Sequence, residues 1–260
     1  LDTGAFSISE MDHHVVDDGS PAVFAADEID TMSIFYHRAT HEVGEADCAQ
    51  GPLYINFPNG TLVPTFSGND WEQEVYLEKI DDPEHPRIEV TEDNLTNTGA
   101  VLDTNICDLN PVIGDKIMLV VKYPILRWLS LFRPYGWDDN IGSIAFARFE
   151  APRYVDASGT MPVIATGPQS IPTQTGVDTI IAAIALPQGP APVGGWPTAI
   201  YAHGGGGIAM DTGFMHLGPI FAAQDMATIS FNAMEHGGGP DSYIEIGTNN
   251  GTKTVRGIGR

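Results

Sequence analysis

Short apolar runs separated by turn-forming residues dominate the first part of the chain. Five of these runs are rich in β-branched and aromatic residues, a composition that is typical of strands. They are Met32–Tyr36, Leu53–Phe57, Glu74–Leu77, Ile117–Val121 and Ile144–Phe149. No long helical period accompanies them. We therefore expect residues 1–153 to form a β-rich region, built as an antiparallel β-sandwich or a closed sheet.

The pattern changes in the last hundred residues. Residues 154–176 are rich in Pro, Gly, Ser and Thr and predict a linker or a crossing loop. Beyond them come three unbroken apolar runs and one helical stretch, in the order Asp178–Leu186, Thr198–Ala202, the helix Gly213–Gln224, and Met226–Asn232. Continuous apolar strands that alternate with helices predict a parallel sheet covered on both faces. We therefore assign residues 177–260 to an α/β region.

The charge of the chain is distributed as unevenly as its hydrophobic pattern. The 260 residues carry a net charge of −22. Residues 1–150 hold 27 acidic and 8 basic residues, whereas residues 151–260 hold 7 and 4. The acidity argues against nucleic acid as a partner, because phosphates would be repelled. It favours solubility and also permits structural calcium sites, although no other cofactor is expected. No apolar stretch is long and continuous enough to predict a transmembrane segment.

Two small groups of residues leave alternatives open. Cys48 and Cys107 lack the spacing of a zinc site, so one disulfide in an exported protein and two free thiols both fit. His13 and His14 lie near three aspartates, Asp12, Asp17 and Asp18. Such a cluster could bind a divalent metal, but it is more often a solvated arm, and no metal site is predicted here.

A glycine run follows the second apolar strand of the α/β region directly, as His203-Gly204-Gly205-Gly206-Gly207. Glycines at such a turn leave backbone N–H groups bare, so that they can stabilise a developing alkoxide. A second pair, His236-Gly237, follows the next predicted strand 33 residues after His203. This spacing is the length of one right-handed parallel crossover. A flexible loop without function is the alternative for the glycine run.

This succession of strand, His-Gly loop, helix, strand and His-Gly loop resembles the N-terminal part of an α/β-hydrolase domain. It is similar in particular to exported bacterial esterases and lipases that carry a β-rich N-terminal region. The resemblance implies that Gly204, Gly205 and Gly206 form the oxyanion loop and that His203 orients it. It further implies that His236 and Gly237 end the next strand beside the substrate entrance, and that the protein is secreted or periplasmic in a bacterium. For each histidine, a structural role in hydrogen bonds to the backbone is the alternative.

The chain departs from that family in one large respect, because it contains no Gly-x-Ser-x-Gly motif. The nucleophile and the rest of the triad are therefore not in this chain. We expect a C-terminal remainder to carry them, either as a second polypeptide or as residues beyond 260, and we expect Val255–Arg260 to lie in a loop. The fold class expected is thus α/β, with the first strands and helix of a hydrolase sheet that is incomplete without that remainder.

The function that these inferences favour is hydrolysis of a carboxylic ester, with a small ester or a lipid as substrate. On this hypothesis the chain supplies the oxyanion loop and becomes an enzyme only when the C-terminal remainder completes it. A non-catalytic, β-rich binding or surface-assembly protein is the alternative from another class. A calcium-stabilised adhesion-type module is the third possibility that the acidic region permits.

Overall fold

The computed structural model describes residues 11–44, 55–56, 74–79, 86–90, 100–101, 106–125, 137–156, 160, 173–205, 207–210, 212–234 and 236–259. Thirteen strands lie within these ranges: β1 Val23–Ala25, β2 Ile29–Glu42, β3 Ile55–Asn56, β4 Glu74–Lys79, β5 Arg87–Val90, β6 Ala100–Val101, β7 Lys116–Pro124, β8 Ile141–Arg153, β9 Gly176–Pro187, β10 Thr198–Tyr201, β11 Ala227–Phe231, β12 Tyr243–Thr248 and β13 Gly251–Arg256. Two α-helices accompany them, α1 Trp137–Asn140 and α2 Thr212–Ala222, together with two 3₁₀ turns, Ala26–Glu28 and Ile106–Leu109.

The larger sheet has six antiparallel strands in the order β13-β12-β2-β7-β4-β5. Its central strand, β2, is 14 residues long and pairs with β7 on one side and with β12 on the other. The β2–β7 register shifts between His37 and Ala39, where a bulge bends the strand. The larger sheet therefore joins residues from near the beginning of the chain to residues near its end.

The smaller sheet has five strands in the order β1-β8-β9-β11-β10. The long hairpin β8–β9 is antiparallel, and β11 is antiparallel to β9. Among the strands that the structure describes, only β10 and β11 run parallel, and α2 connects them. The parallel sheet predicted for β9, β10 and β11 is therefore wrong in its extent, because β9 runs antiparallel to β11 and parallel pairing is limited to one crossover among the described strands. A third, two-stranded sheet pairs β3 with β6.

One apolar core joins the two large sheets. The larger sheet contributes Met32, Ile34, Ile244, Ile246 and Val255, whose alternating positions place them on one face of their strands. The smaller sheet contributes buried side chains of β8 and β9, and α2 adds Phe214 and Met215. Because the same core draws on residues before and after the predicted linker, the division between the sheets does not coincide with residues 154–176.

The opposite face of the larger sheet carries stacked rings beneath charged side chains. The rings of Phe35 and Tyr243 stack with centroids 4.7 Å apart, and both side chains are fully buried. Arg87 lies over Phe35 and Arg256 over Tyr243, each with its guanidinium carbon 4.8 Å from the ring centroid. The Tyr243 hydroxyl donates a hydrogen bond to the buried carboxylate of Glu78. Burial and this neighbouring carboxylate raise the pKa of Tyr243 far above its usual range, so that its hydroxyl stays protonated.

The hydrophobic pattern predicts most of these elements correctly. The strands expected at Met32–Tyr36, Glu74–Leu77, Ile117–Val121 and Ile144–Phe149 lie in β2, β4, β7 and β8, and the three later apolar runs form β9, β10 and β11. The predicted helix is α2. Of the run Leu53–Phe57, Ile55 and Asn56 form β3 and the rest lies outside the described residues.

The strand at Gly251–Arg256 was not predicted from the sequence. Val255 and Arg256 were expected in a loop, but they lie in β13, which pairs with β12 through six residue pairs. The described part of the chain is thus mostly β-sheet, in two large sheets, and the hydrolase arrangement expected for residues 177–260 stays a prediction. Cys107 is disulfide-bonded, and Cys48 is the other cysteine of the sequence. Of the two alternatives left by the sequence, the disulfide is therefore the one that applies to Cys107.

Candidate functional site

The two His-Gly segments lie together at one edge of the smaller sheet. Because β10 and β11 are adjacent and parallel, with Tyr201 opposite Ser230, the residues that follow them emerge side by side. The carboxyl ends of parallel strands are the usual position of ligand sites in α/β sheets. The residues brought together there are His203 to Gly205 after β10, and Asn232 to Gly237 after β11, with position 235 outside the described part.

His203 links the two segments through both ring nitrogens. Its Nε2 accepts a hydrogen bond from the backbone N–H of Ala233 at 3.0 Å. Since Nε2 is an acceptor, the ring proton lies on Nδ1, which donates to the carbonyl oxygen of Gly204 at 2.9 Å. With both nitrogens bonded to the backbone, His203 is placed to orient the loop and not to act as a base. Its role in catalysis stays a prediction.

Gly204 and Gly205 present exposed backbone at the end of β10. A Cβ added to either residue would meet no atom within 4 Å, and neither residue has a positive φ. The turn itself therefore does not require glycine at these two positions. What the missing side chains provide is free access to the backbone, and Gly207 closes the turn by donating its N–H to the Gly204 carbonyl at 3.0 Å. Gly206 lies outside the described residues.

His236 and Gly237 lie beside this loop. The imidazole centroids of His236 and His203 are 4.8 Å apart with the rings tilted by 48°. Nδ1 of His236 lies 2.9 Å from the carbonyl oxygen of Met234, to which it can donate. Gly237 has φ +75°, and a Cβ there would come within 2.4 Å of the Asn232 side chain. Here glycine is required by the chain's own packing, which explains the His-Gly pair without reference to a substrate.

Asn232 is a buried polar residue that the sequence analysis did not single out. Its Oδ1 accepts the backbone N–H of Ala209 at 2.8 Å, and its Nδ2 donates to the carbonyl oxygen of Ile258. It therefore holds the segment after the glycine run against the segment after β13. The sequence does contain a signal for this residue, because Asn232 is the polar end of an otherwise largely apolar run.

A cavity of about 10 Å³ lies beneath these segments, lined by Asn232, Gly237 and mostly apolar residues of both sheets. Such a volume holds roughly one water molecule. It is too small for an ester substrate, so the described residues form an exposed backbone edge and not an enclosed substrate pocket.

The segment that contains His13, His14 and three aspartates forms ion pairs with strands β8 and β13. Asp12 forms an ion pair with Arg148 of β8, while Asp17 and Asp18 pair with Arg256 and Lys253 of β13. The backbone N–H of His14 and the Arg148 side chain hold the pKa of Asp12 below its usual value. The Lys253 ammonium, with Ser20, lowers the pKa of Asp18 strongly. Within the described ranges, no three His, Cys, Asp or Glu residues are placed to share a metal ion.

No protein-family model, curated protein or solved structure matches this chain. Among the helices that the structure describes, none has both the length and the apolar character needed to cross a membrane. The inference of function therefore depends on the geometry of the two His-Gly segments and on the sheet that carries them.

Proposed function

We propose that this chain is the N-terminal portion of a serine-esterase or lipase-like hydrolase, with Gly204 to Gly206 as its oxyanion loop. One observation carries the proposal: exposed, side-chain-free backbone at the carboxyl end of β10 is tied by His203 to the end of the adjacent parallel strand. A developing oxyanion needs donors that are fixed before the reaction begins. The Gly204 carbonyl, fixed by bonds from His203 and from the Gly207 N–H, supports such a role for the N–H groups of this loop.

The connectivity of the smaller sheet supports the same proposal. The hairpin β8–β9 is followed by the crossover β10-α2-β11, and β11 lies between β9 and β10. A hairpin followed by a crossover whose second strand inserts next to the hairpin is how the first strands of an α/β-hydrolase sheet are arranged. Helix α2 begins at Thr212, soon after the glycine run, and a helix amino end favours negative charge nearby.

The reaction proposed is acyl transfer from an ester. A serine of the C-terminal remainder, as a second polypeptide or as residues beyond 260, attacks the carbonyl carbon while a base removes its proton. The carbonyl oxygen becomes an oxyanion that accepts hydrogen bonds from the glycine loop, and the alcohol leaves after protonation. Water then releases the acid and restores the serine. Export is proposed as well, supported by the disulfide at Cys107, because disulfides persist in oxidising compartments.

Replacement of Gly205 by valine tests the oxyanion role. A Cβ there has no atom within 4 Å apart from its chain neighbours, so we expect the fold to survive while access to the backbone is blocked. Turnover of a p-nitrophenyl ester by the complete protein should fall by about 100-fold. Ala191→Val, at another exposed loop position, is the matched control and should leave turnover unchanged. Equal turnover of Gly205→Val and wild type, with unchanged circular dichroism, would remove this loop from the mechanism.

A non-catalytic binding or surface-assembly protein is the second candidate. It is favoured by the absence of a Gly-x-Ser-x-Gly motif and by the extent of antiparallel sheet. A fluorophosphonate probe applied to the complete native protein separates the two functions, because it modifies an activated serine covalently. Labelling of one serine supports the hydrolase, whereas the absence of any label favours the binding protein.

A further inference from the structure

The hairpin that joins β12 to β13 places an asparagine directly before a glycine. Thr248 ends β12 and pairs with Gly251, the first residue of β13, so the turn between them consists of Asn249 and Asn250. Asn249, Asn250 and Gly251 are all exposed. The sequence Asn-Gly also occurs at residues 59–60, which lie outside the described part. The tip of this hairpin is therefore the described position at which the dipeptide meets solvent.

The carboxamide of Asn250 is not held by its neighbours. The backbone N–H of Asn250 donates to Thr248 Oγ1 at 3.2 Å, but its side chain forms no hydrogen bond to any residue that the structure describes. Gly251 has a φ of +112°, which glycine adopts readily and other residues rarely. A Cβ added to Gly251 would meet no atom within 4 Å. No side chain at residue 251 therefore hinders the approach of its nitrogen to the Asn250 carboxamide.

We infer that Asn250 is a site of spontaneous deamidation, at which the Gly251 nitrogen attacks the side-chain carbonyl and water is the co-reactant. A bond forms between the Gly251 nitrogen and Asn250 Cγ, the Cγ–Nδ2 bond breaks, and ammonia leaves with the proton of the attacking nitrogen. Water then breaks one of the two C–N bonds of the cyclic imide, adding its hydroxyl to the carbonyl carbon and its proton to the nitrogen. The products are aspartate and isoaspartate, and no atom is oxidised or reduced. The inference does not depend on the hydrolase proposal.

The modification affects the attachment of the segment before β1. β13 holds this segment through the Asp17 N–H, which donates to the Thr254 carbonyl at 3.0 Å, and through the ion pair of Lys253 with Asp18. Isoaspartate carries the main chain through its side-chain carbon and so lengthens the turn by one backbone atom. The turn sets the register between β12 and β13, because loop length selects the turn type of a hairpin. We expect isoaspartate at residue 250 to weaken both contacts and aspartate to leave them unchanged.

Peptide mapping of the complete protein, after incubation in mildly alkaline buffer, tests the site. Chymotrypsin cleaves the denatured chain after Tyr243 and releases a peptide that contains both asparagines of the turn. Asn249 is the matched control, because it is exposed in the same turn but precedes a residue with a side chain. The mass should rise by about 1 Da at Asn250, at least about 10-fold faster than at Asn249. Asn250→Gln should abolish the change, since glutamine would have to close a larger ring.

Hydrogen exchange at Asp17 measures the consequence. Its amide should exchange about 10-fold faster in the isoaspartate form than in the unmodified protein, and Asn250→Asp should exchange like the unmodified protein. Unchanged exchange in the isoaspartate form would overturn the effect on the segment before β1. Equal mass gain at both asparagines, or none at Asn250, would overturn the site itself. Asn250-Gly251-Thr252 also matches the acceptor sequence for N-linked glycans, and a glycan on Asn250 would overturn the site too, because its nitrogen could not leave as ammonia.

Discussion

Single polar side chains hold the candidate site together by bonding to backbone atoms. His203 and Asn232 each connect two segments of the chain, and within the described part their hydrogen bonds go to a backbone N–H or carbonyl. Bonds of this kind fix loops without fixing a particular neighbouring side chain. The two histidines of the site differ in their hydrogen bonds. Both ring nitrogens of His203 are hydrogen-bonded, whereas among the described residues only Nδ1 of His236 is.

Two buried serines allow the contribution of such bonds to be measured. Ser230 and Ser242 are both fully buried, but Ser242 Oγ accepts the His37 N–H at 3.1 Å, whereas Ser230 Oγ has no partner in the part of the chain described. We expect Ser230→Ala to raise the free energy of unfolding by about 1 kcal/mol, since it removes an unpaired buried hydroxyl. Ser242→Ala should lower it by about 1 kcal/mol, because it leaves a backbone N–H unpaired.

Urea unfolding of both variants and the wild type gives these free energies. Both variants replace a buried serine by alanine and so remove the same atom. A hydrogen-bond effect therefore predicts opposite signs for the two changes in the free energy of unfolding. Equal destabilisation by the two substitutions would show that packing and not hydrogen bonding dominates at both positions.

At the scale of elements, the segment before β1 bridges the two large sheets. Asp12 forms a backbone bridge with Arg148 of β8, and Val16 forms one with Val255 of β13. The ion pairs of Asp12, Asp17 and Asp18 reinforce the same contacts. The acidic residues Asp12, Asp17 and Asp18 therefore attach this segment to both large sheets.

Acid should loosen this segment. The pKa of Asp18 is lowered in the folded protein, mainly by its bond from Lys253, so the stability it contributes is fully present above the pKa of an unfolded aspartate. That contribution is lost as the pH falls below about 4. Asp18→Asn should therefore destabilise the protein at pH 7 and flatten the decline in melting temperature below pH 4. Asp27→Asn, at an exposed residue of a 3₁₀ turn, removes the same charge and serves as control. An identical acid profile for Asp18→Asn and wild type would contradict the role of this ion pair.

The sequence predicts elements here better than it predicts their neighbours. Apolar runs such as Ile117–Val121 locate strands because both faces of those strands are buried. β13 was missed because Gly251, Thr252 and Lys253 are not apolar, and its one buried residue, Val255, is recognisable only when the opposing sheet is known. The pairing of β12 with β2 joins residues about 200 positions apart, and no local pattern specifies such a partner.

In the candidate site, too, the sequence predicts the local segments but not all of their contacts. The glycine run and the two histidines are visible in the sequence, because local composition marks them. The contact between the His203 and His236 rings depends on β10 and β11 being adjacent, which the crossover length suggests. The role of Asn232 depends on Ile258, and the approach of that residue could not be inferred without the β12–β13 hairpin.

At the scale of the whole molecule, the charge difference along the sequence does not follow the division between the two large sheets. Each large sheet combines strands from the acidic first part and from the nearly neutral last part. Repulsion among the acidic residues is therefore resisted by a core to which both parts contribute, with the disulfide at Cys107 as a covalent link in addition.

Loss of that disulfide should lower stability measurably. Cys48 and Cys107 are 59 residues apart, and closing a loop of this length restricts the unfolded chain by about 4 kcal/mol at most. We expect Cys107→Ser to lower the free energy of unfolding by about 2–4 kcal/mol, measured with urea under oxidising conditions. Reductant should produce the same loss in the wild type and no further loss in Cys107→Ser. Unfolding curves that coincide for the wild type with and without reductant would contradict this expectation.

The pairing of β2 with β12 also constrains how the chain is made. Residues 29–42 leave the ribosome about 200 residues before their partner, residues 243–248. At common rates of synthesis, the side of β2 that pairs with β12 stays without that partner for roughly 10–40 s. The larger sheet thus cannot be completed until residues 243–256 have been synthesised, and contacts so distant in sequence make folding slow. A nascent chain with this topology is expected to depend on protection of β2 by chaperones until residues 243–248 emerge.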